Sequence, residues 1–240
     1  MVSVALFHTA GHTETGALQE FLSKFAPGLR FERRFPHCKK PAPKFGRTHP
    51  TPVQNSSGCT GQALIDAMLV RLKKYPPVAD VILLVDDADC RFDSNAAYEE
   101  DCGTLQKEIT SALGREVTFV ALFAAPEIES WLIADWDNAF ASWYGADVAN
   151  ALLYALSSQL FPKSSIETYG YPELPEGGCS KKLSDTIREA FIGLPYGKRY
   201  SKASDGIEML RGINPANVAA SCRTYFNPAY KALCALAANL

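Results

Sequence analysis

No stretch of the sequence approaches the roughly 18 consecutive apolar residues that a membrane-spanning helix needs. The opening residues, MVSVALFHTAGHTE, place no basic segment ahead of their short apolar run, so they read as a first strand rather than a secretory signal. Seven cysteines is an odd number, and no pair stands in CxxC spacing. A disulfide framework and a structural zinc site therefore both lack their usual signature, and a reducing cytoplasm is the simplest setting. Neither sign of charge dominates: 24 Lys and Arg against 26 Asp and Glu leave a net charge of −2. Any surface for nucleic acid must then be local rather than global. The chain shows no internal repeat and no low-complexity tract. Its 240 residues, 47% hydrophobic and 21% charged, are ordinary globular composition, enough for one large domain or a domain with an appendage.

Against this plain background one stretch stands out, Asp80–Asp89, DVILLVDDAD. The aliphatic run Val81–Val85 predicts a strand buried on both faces, and it ends directly in Asp86, Asp87 and Asp89. Ligands of open α/β sheets bind outside the carboxyl ends of strands. Carboxylates gathered there are hard-oxygen donors suited to Mg²⁺ or Mn²⁺. A solvated turn would also favour Asp.

The flanking segments alternate. Val2–His8 reads as a strand, followed by a helix from about Thr13 to Phe25 with Leu18, Phe21, Leu22 and Phe25 at helical spacing. Gly28–Phe35 reads as a more exposed strand, Gly61–Tyr75 and Ala96–Leu113 as helices, and Val117–Phe123 as a strand. A helix then opens near Pro126 and runs to about Trp143. This order predicts an α/β fold with an open, mostly parallel sheet and helices on both faces. Residues 1–145 form that core and residues 146–240 a helical C-terminal extension, with helices expected over 147–161, 180–194, 202–211, 214–226 and 228–240. Residues 36–60 interrupt the core with a proline-rich loop carrying Lys39, Lys40, Lys44 and Arg47. Such a loop could hold a phosphodiester backbone, or be a solvated insertion. Lys198, Arg199 and Lys202 form a second basic group with the same two readings.

A second acidic cluster, PEIESWLIAD over 126–135, follows the strand 117–123 directly. Glu127 and Glu129 would sit at a strand end and a helix start, where the helix dipole alone favours acids. If the two strands are neighbours, Asp87, Asp89 and Glu129 come within metal-sharing range, with Glu127 close by. Crowded carboxylates repel and raise one another's pKa unless a cation intervenes. Glu14, in the turn after the first strand, is a further candidate.

These pieces resemble a family. Ala10-Gly-His-Thr-Glu14 is similar to an EGxTE turn, Val85-Asp-Asp-Ala-Asp89 to a strand-ending DxD, and 126–135 to a PExExW(L/F)xAD signature, all of the DUF4276 group of Toprim-like proteins. Tyr200-Ser-Lys202 and SCRTYF over 221–226 resemble its YxK and CPxF elements. The resemblance implies a Toprim-type fold and Mg²⁺- or Mn²⁺-dependent nuclease chemistry on DNA or RNA. By position it makes Asp87 and Asp89 metal ligands, with Glu127, Glu129 and Glu14 completing or positioning the site. It also implies a setting in bacterial anti-phage defence, in some members beside an ATPase partner. One departure is informative. The family's first motif opens with Glu, and here that position is Ala10, which can neither bind metal nor take a proton. The first acid then falls to Glu14, or the chain is a catalytically weakened subunit that senses or assembles with a partner.

Overall fold

The computed structural model describes residues 1–9, 11–36, 59–92, 94–160, 165–169 and 182–239. Strands β1 (Val2–His8), β2 (Leu29–Phe35), β3 (Val81–Asp87) and β4 (Thr118–Ala124) form one sheet in the order β2-β1-β3-β4, every neighbouring pair parallel. Helices α1 (His12–Ser23), α2 (Gly61–Lys74) and α3 (Asn95–Leu113) lie between successive strands in the chain. The expected α/β class, parallel sheet and helical C-terminal region are all present, and β3 and β4 are neighbours.

Strand side chains alternate between faces, and that alternation builds two cores. Val4, Leu6, Val81, Leu83, Val85, Val120 and Leu122 face one side with Leu18, Phe21 and Leu22 of α1. Ala5, Phe7, Ile82, Leu84, Ala121 and Phe123 face the other, with Leu64, Ile65, Met68 and Leu72 of α2 and Leu105 and Ile109 of α3. Helix α3 ends where Gly114 adopts φ 65°, the left-handed conformation glycine enters without penalty.

After β4 the chain departs from the continuous helix expected over 126–143. It forms α4 (Glu129–Ala134), a π-helical turn Asp137–Ala141 and α5 (Ser142–Tyr144). The break falls at Asp135, which leaves helical geometry (φ −124°, ψ 58°). Its buried carboxylate accepts hydrogen bonds from Asn138 Nδ2 (3.0 Å), Asn217 Nδ2 (2.8 Å) and the Asn214 backbone N–H (2.6 Å). Side-chain bonding to distant backbone here displaces the regular helical ladder.

Helices α6 (Ala146–Leu160), α7 (Leu183–Ile192), α8 (Asp205–Gly212), α9 (Pro215–Ser221) and α10 (Phe226–Ala238) follow. Asn214 caps α9 by accepting from the Ala216 N–H (3.0 Å), with Pro215 in its first turn. These helices share the hydrophobic cluster of the α1 face. Trp131 of α4 is fully buried there, stacked on Phe21 (ring centroids 5.6 Å) and edge-on to Phe226 of α10 (5.0 Å). The C-terminal helices thus form one layer of the molecule together with α1 and α4. Cys90 is disulfide-bonded, whereas Cys59, Cys102, Cys222 and Cys234 are free. None of the helices among the described residues is long and apolar enough to cross a membrane.

The Asp135 hub makes the first prediction. Asp135→Ala leaves buried donors without acceptors, at a cost of roughly 3 kcal/mol. Urea unfolding should show that loss, with a smaller one for Asp135→Asn. A loss under about 1 kcal/mol for the alanine variant contradicts the role.

Candidate functional site

Strand β1 has β2 on one side and β3 on the other, so the chain reverses its direction of build-up between β1 and β3. The crevice at their carboxyl ends is the position where open α/β sheets bind ligands. A cavity of about 260 Å³ opens there, lined by Glu14, Asp87, Asp89, Glu127, Lys182 and Lys202 among others.

The acids arrive by the logic of the sheet. Asp86 and Asp87 are successive strand residues and point to opposite faces. Asp86 follows Ile82 and Leu84 toward α2, where its Oδ2 accepts the Gly61 N–H (2.8 Å) at the start of that helix. Asp87 follows Leu83 and Val85 toward α1 and α4, and its Oδ1 accepts the Ile128 N–H (3.1 Å). Pairing between β3 and β4 continues past the strands, from Ala88 N–H to the Ala124 carbonyl (2.8 Å) and from Asp89 N–H to the Pro126 carbonyl (2.9 Å). That pairing lays the turn after β3 against the start of the 126–135 segment. The turn requires φ of 44° at Asp89 and 58° at Cys90. Left-handed conformations at non-glycine residues store roughly 1–3 kcal/mol each.

Glu14 lies in the first turn of α1 and is buried. Its carboxylate folds back over Gly11, so any Cβ at position 11 would collide with it. Thr13 donates its hydroxyl to the Lys202 carbonyl (2.9 Å), and Gly11 occupies the cap position of α1. Gly206 makes this approach of α8 to α1 feasible, since a Cβ there would lie 2.6 Å from Thr13 Oγ1 and 3.2 Å from the Tyr200 hydroxyl.

Lys202 is the centre of charge. Its ammonium lies 3.1 Å from Glu127 Oε1 and 3.0 Å from Glu129 Oε2. Glu127 also accepts from the Ser184 N–H (2.9 Å) and hydroxyl (3.0 Å), at the start of α7. Glu129, fully buried, accepts from the Tyr200 hydroxyl (2.8 Å). Burial would raise the Glu127 carboxyl, but Lys202 and Ser184 outweigh it and hold it below its usual range. Burial would lower the Lys202 ammonium, and Glu129, Asp87 and Glu127 more than reverse this. The remaining acids are under-compensated. Asp87 is pushed well up by burial and then by Glu14, with Lys202 opposing. Burial also raises Glu14, Glu129 and Asp89, each opposed by Lys202, and Asp89 by Lys182 as well.

No group of three His, Cys, Asp or Glu among the described residues stands arranged to hold a metal ion. The donor chemistry nevertheless fits a hard divalent cation at part of the crest. Glu14 and Asp87 repel one another across the cavity, and a dication would remove that penalty. Glu127 and Glu129 differ, because Lys202, Ser184 and Tyr200 hold their oxygens. Of the acids expected to bind metal, Glu14, Asp87 and Asp89 line the cavity and could hold such a cation, whereas Glu129 does not line it.

The expected basic residues separate. Lys202 is inside the acidic site, while Lys198 and Arg199 are exposed on the segment leading to it. Lys39, Lys40, Lys44, Arg47 and Ala10 lie outside the described residues. Lys182 and Ser184 join the site without any sequence pattern that announces them; a serine near a helix start is ordinary there.

The fold and the site define an α/β protein with an acidic, partly lysine-compensated crest at the switch point of a parallel sheet. The chain belongs to the DUF4276 family: the family model, Domain of unknown function (DUF4276), matches residues 11–233. No curated protein and no solved structure matches the chain.

Two predictions follow from the crest's geometry. Burial raises Asp86 to about 7 despite the Gly61 hydrogen bond, whereas an unfolded Asp titrates near ~3.9. Between those values the folded state holds more protons than the unfolded one, so this group's stabilising contribution is full at low pH and is lost as pH rises through about 7. Asp86→Asn should gain stability over the wild type progressively from pH 5 to pH 8, read by urea melts. An equal difference at both pH values refutes the assignment. Separately, Gly11→Ala should displace the Glu14 carboxylate while leaving the far-ultraviolet circular dichroism unchanged. A crystal structure showing Glu14 unmoved would contradict it.

Proposed function

We propose that the chain is a Toprim-type, metal-dependent phosphodiesterase acting on nucleic acid. One observation carries this reading: Glu14 from the first turn of α1, and Asp87 and Asp89 from the end of β3, line a single cavity at the switch point of the sheet. These carboxylates converge without enough protein cations to balance them.

Glu14, Asp87 and Asp89 would hold Mg²⁺ or Mn²⁺. Such an ion supplies charge stabilisation to the phosphate and lowers the pKa of bound water. The chain's own residues do the rest. The Ile128 N–H fixes one oxygen of Asp87 and leaves the other available. Burial raises the Glu14 carboxyl, so it holds a proton more readily than an exposed glutamate until a cation is bound. Lys202 holds Glu127 ionised and fixes Glu129 in place, and brings a positive charge to the cavity wall. Glu127 and Glu129 are positioning residues in this scheme, since Lys202 pairs with both while Ser184 and Tyr200 donate hydrogen bonds to them. Lys198 and Arg199, exposed just before Tyr200, would hold the strand outside the cavity. A role in bacterial anti-phage defence, beside an ATPase partner, belongs to the same proposal and draws its support from the resemblance of the sequence motifs.

A second reading has its own observation. Lys202 neutralises Glu127 and Glu129 from within the chain, and Ala10 lacks a carboxylate. Both fit a subunit that has kept the scaffold and lost the chemistry.

Cleavage of DNA and RNA oligonucleotides with Mn²⁺ separates the two. Asp87→Asn should lower cleavage at least ~100-fold, because it removes charge from the proposed metal site. Mn²⁺ should raise the melting temperature of the wild type and not of Asp87→Asn. Cleavage indifferent to Asp87→Asn and Asp89→Asn defeats the first reading. Absence of both cleavage and metal stabilisation, with stable capture of a partner ATPase, establishes the second.

A further inference from the structure

The cavity wall is acidic, yet the ligand proposed for it is a polyanion. The charge that would receive that ligand must be found among the cations at its rim. Two lysines line the cavity, Lys182 and Lys202. Lys202 is ion-paired with both Glu127 and Glu129 and lies largely below the surface. Lys182 differs in each respect. Its side chain is exposed, and its ammonium makes no ion pair or hydrogen bond among the described residues.

Lys182 is nonetheless well placed. It is the cap residue of α7, and its carbonyl accepts the Thr186 N–H and hydroxyl (both 3.1 Å). Two residues on, Ser184 binds Glu127 through its N–H and hydroxyl, which docks the start of α7 against the crest. The backbone of Lys182 is thus fixed to the site while its ammonium remains unengaged beside Asp89, whose charge it partly offsets. A fixed stem with an uncommitted cation at the mouth of an anion-processing cavity is the arrangement a phosphate contact needs.

We infer that Lys182 is a substrate-positioning residue that grips a backbone phosphate of the nucleic acid at the cavity mouth, while Lys202 serves as the internal counter-ion. This rests on the phosphodiesterase reading proposed above. The division of labour predicts opposite behaviour for the two lysines. Loss of Lys182 weakens association and spares the chemistry, whereas loss of Lys202 disturbs Glu127 and Glu129 themselves.

The test uses the full chain, with single- and double-stranded oligonucleotides. Binding is measured in Ca²⁺ across a salt series and cleavage in Mn²⁺. Lys182→Ala should raise KM about 10-fold with kcat within about 2-fold, and flatten the slope of log Kd against log salt by roughly 0.7–0.9, the share of one phosphate contact. Lys182→Arg should restore both. The pH profile of kcat should not move, which separates a phosphate contact from mere balancing of Asp89. If the wild type cleaves and Lys182→Ala retains its KM and salt slope, the contact is wrong while the phosphodiesterase reading stands. If the wild type binds with a Lys182-dependent slope but never cleaves, the contact stands and the catalytic reading falls. If it neither binds nor cleaves, both are overturned.

Discussion

The ammonium of Lys202 between Glu127 and Glu129 is the interaction on which the rest of the crest depends. Two carboxylates this deeply buried would each pay a desolvation cost of several kcal/mol with no partner. Lys202 removes most of it and, in doing so, joins distant parts of the chain. Tyr200 follows it onto Glu129, and Ser184 brings α7 onto Glu127. Asp205 braces the segment from behind, accepting the Ser201 N–H (2.9 Å) and the Tyr144 hydroxyl (2.6 Å). The C-terminal helices therefore contribute the positive charge, and the hydrogen-bond donors, that let the sheet carry buried acids at its edge. Removing one partner from such a network leaves an uncompensated buried charge, which is why it acts as a single unit.

A one-residue step decides which acid belongs to that network. Asp86 and Asp87 are chemically identical, but the strand pleat sends one to each face. Asp86 closes the start of α2 and sits where burial favours its neutral form. Asp87 enters the cavity with Glu14 and Asp89. Shifting β3 by one residue against its neighbours would exchange these fates and empty the site. Ile82 and Leu84 could exchange with Leu83 and Val85 at little hydrophobic cost, so the face-specific contacts of the two acids, Asp86 with the Gly61 N–H and Asp87 with the Ile128 N–H, are what mark the register.

The same pleat explains how much was legible beforehand. Val81–Val85 announces a two-faced buried strand, and strands of that kind end where ligands bind; that β3 and β4 are neighbours, only a condition when read from the sequence, is supplied by the fold. What the sequence hides is pairing between remote side chains. The YxK resemblance marks Lys202, but nothing local in KRYSK records that its partner Glu127 waits 75 residues earlier. Ser184 and Lys182 are hidden for the same reason. The helix expected over 126–143 fails at Asp135, whose partners Asn214 and Asn217 lie some 80 residues away. Periodicity reports local backbone and burial, and it is silent about a carboxylate that prefers a distant donor to its own helix.

That silence bears on how the acids divide. A purely structural ion-pair network tends toward balance, because each unmatched buried charge destabilises the fold. Here Lys202 brings the back of the crest nearest to balance, holding Glu127 below its usual range although burial still raises Glu129. Toward the cavity, Glu14, Asp87 and Asp89 remain, each raised by burial and the first two opposing one another. The turn that carries Asp89 holds left-handed backbone at two successive non-glycine residues. Strain and perturbed acids concentrated on one cavity wall are the features from which the phosphodiesterase reading is proposed. The lysine-compensated half explains how the protein folds with acids at its edge; the uncompensated half is where an exogenous cation and a phosphate would complete it.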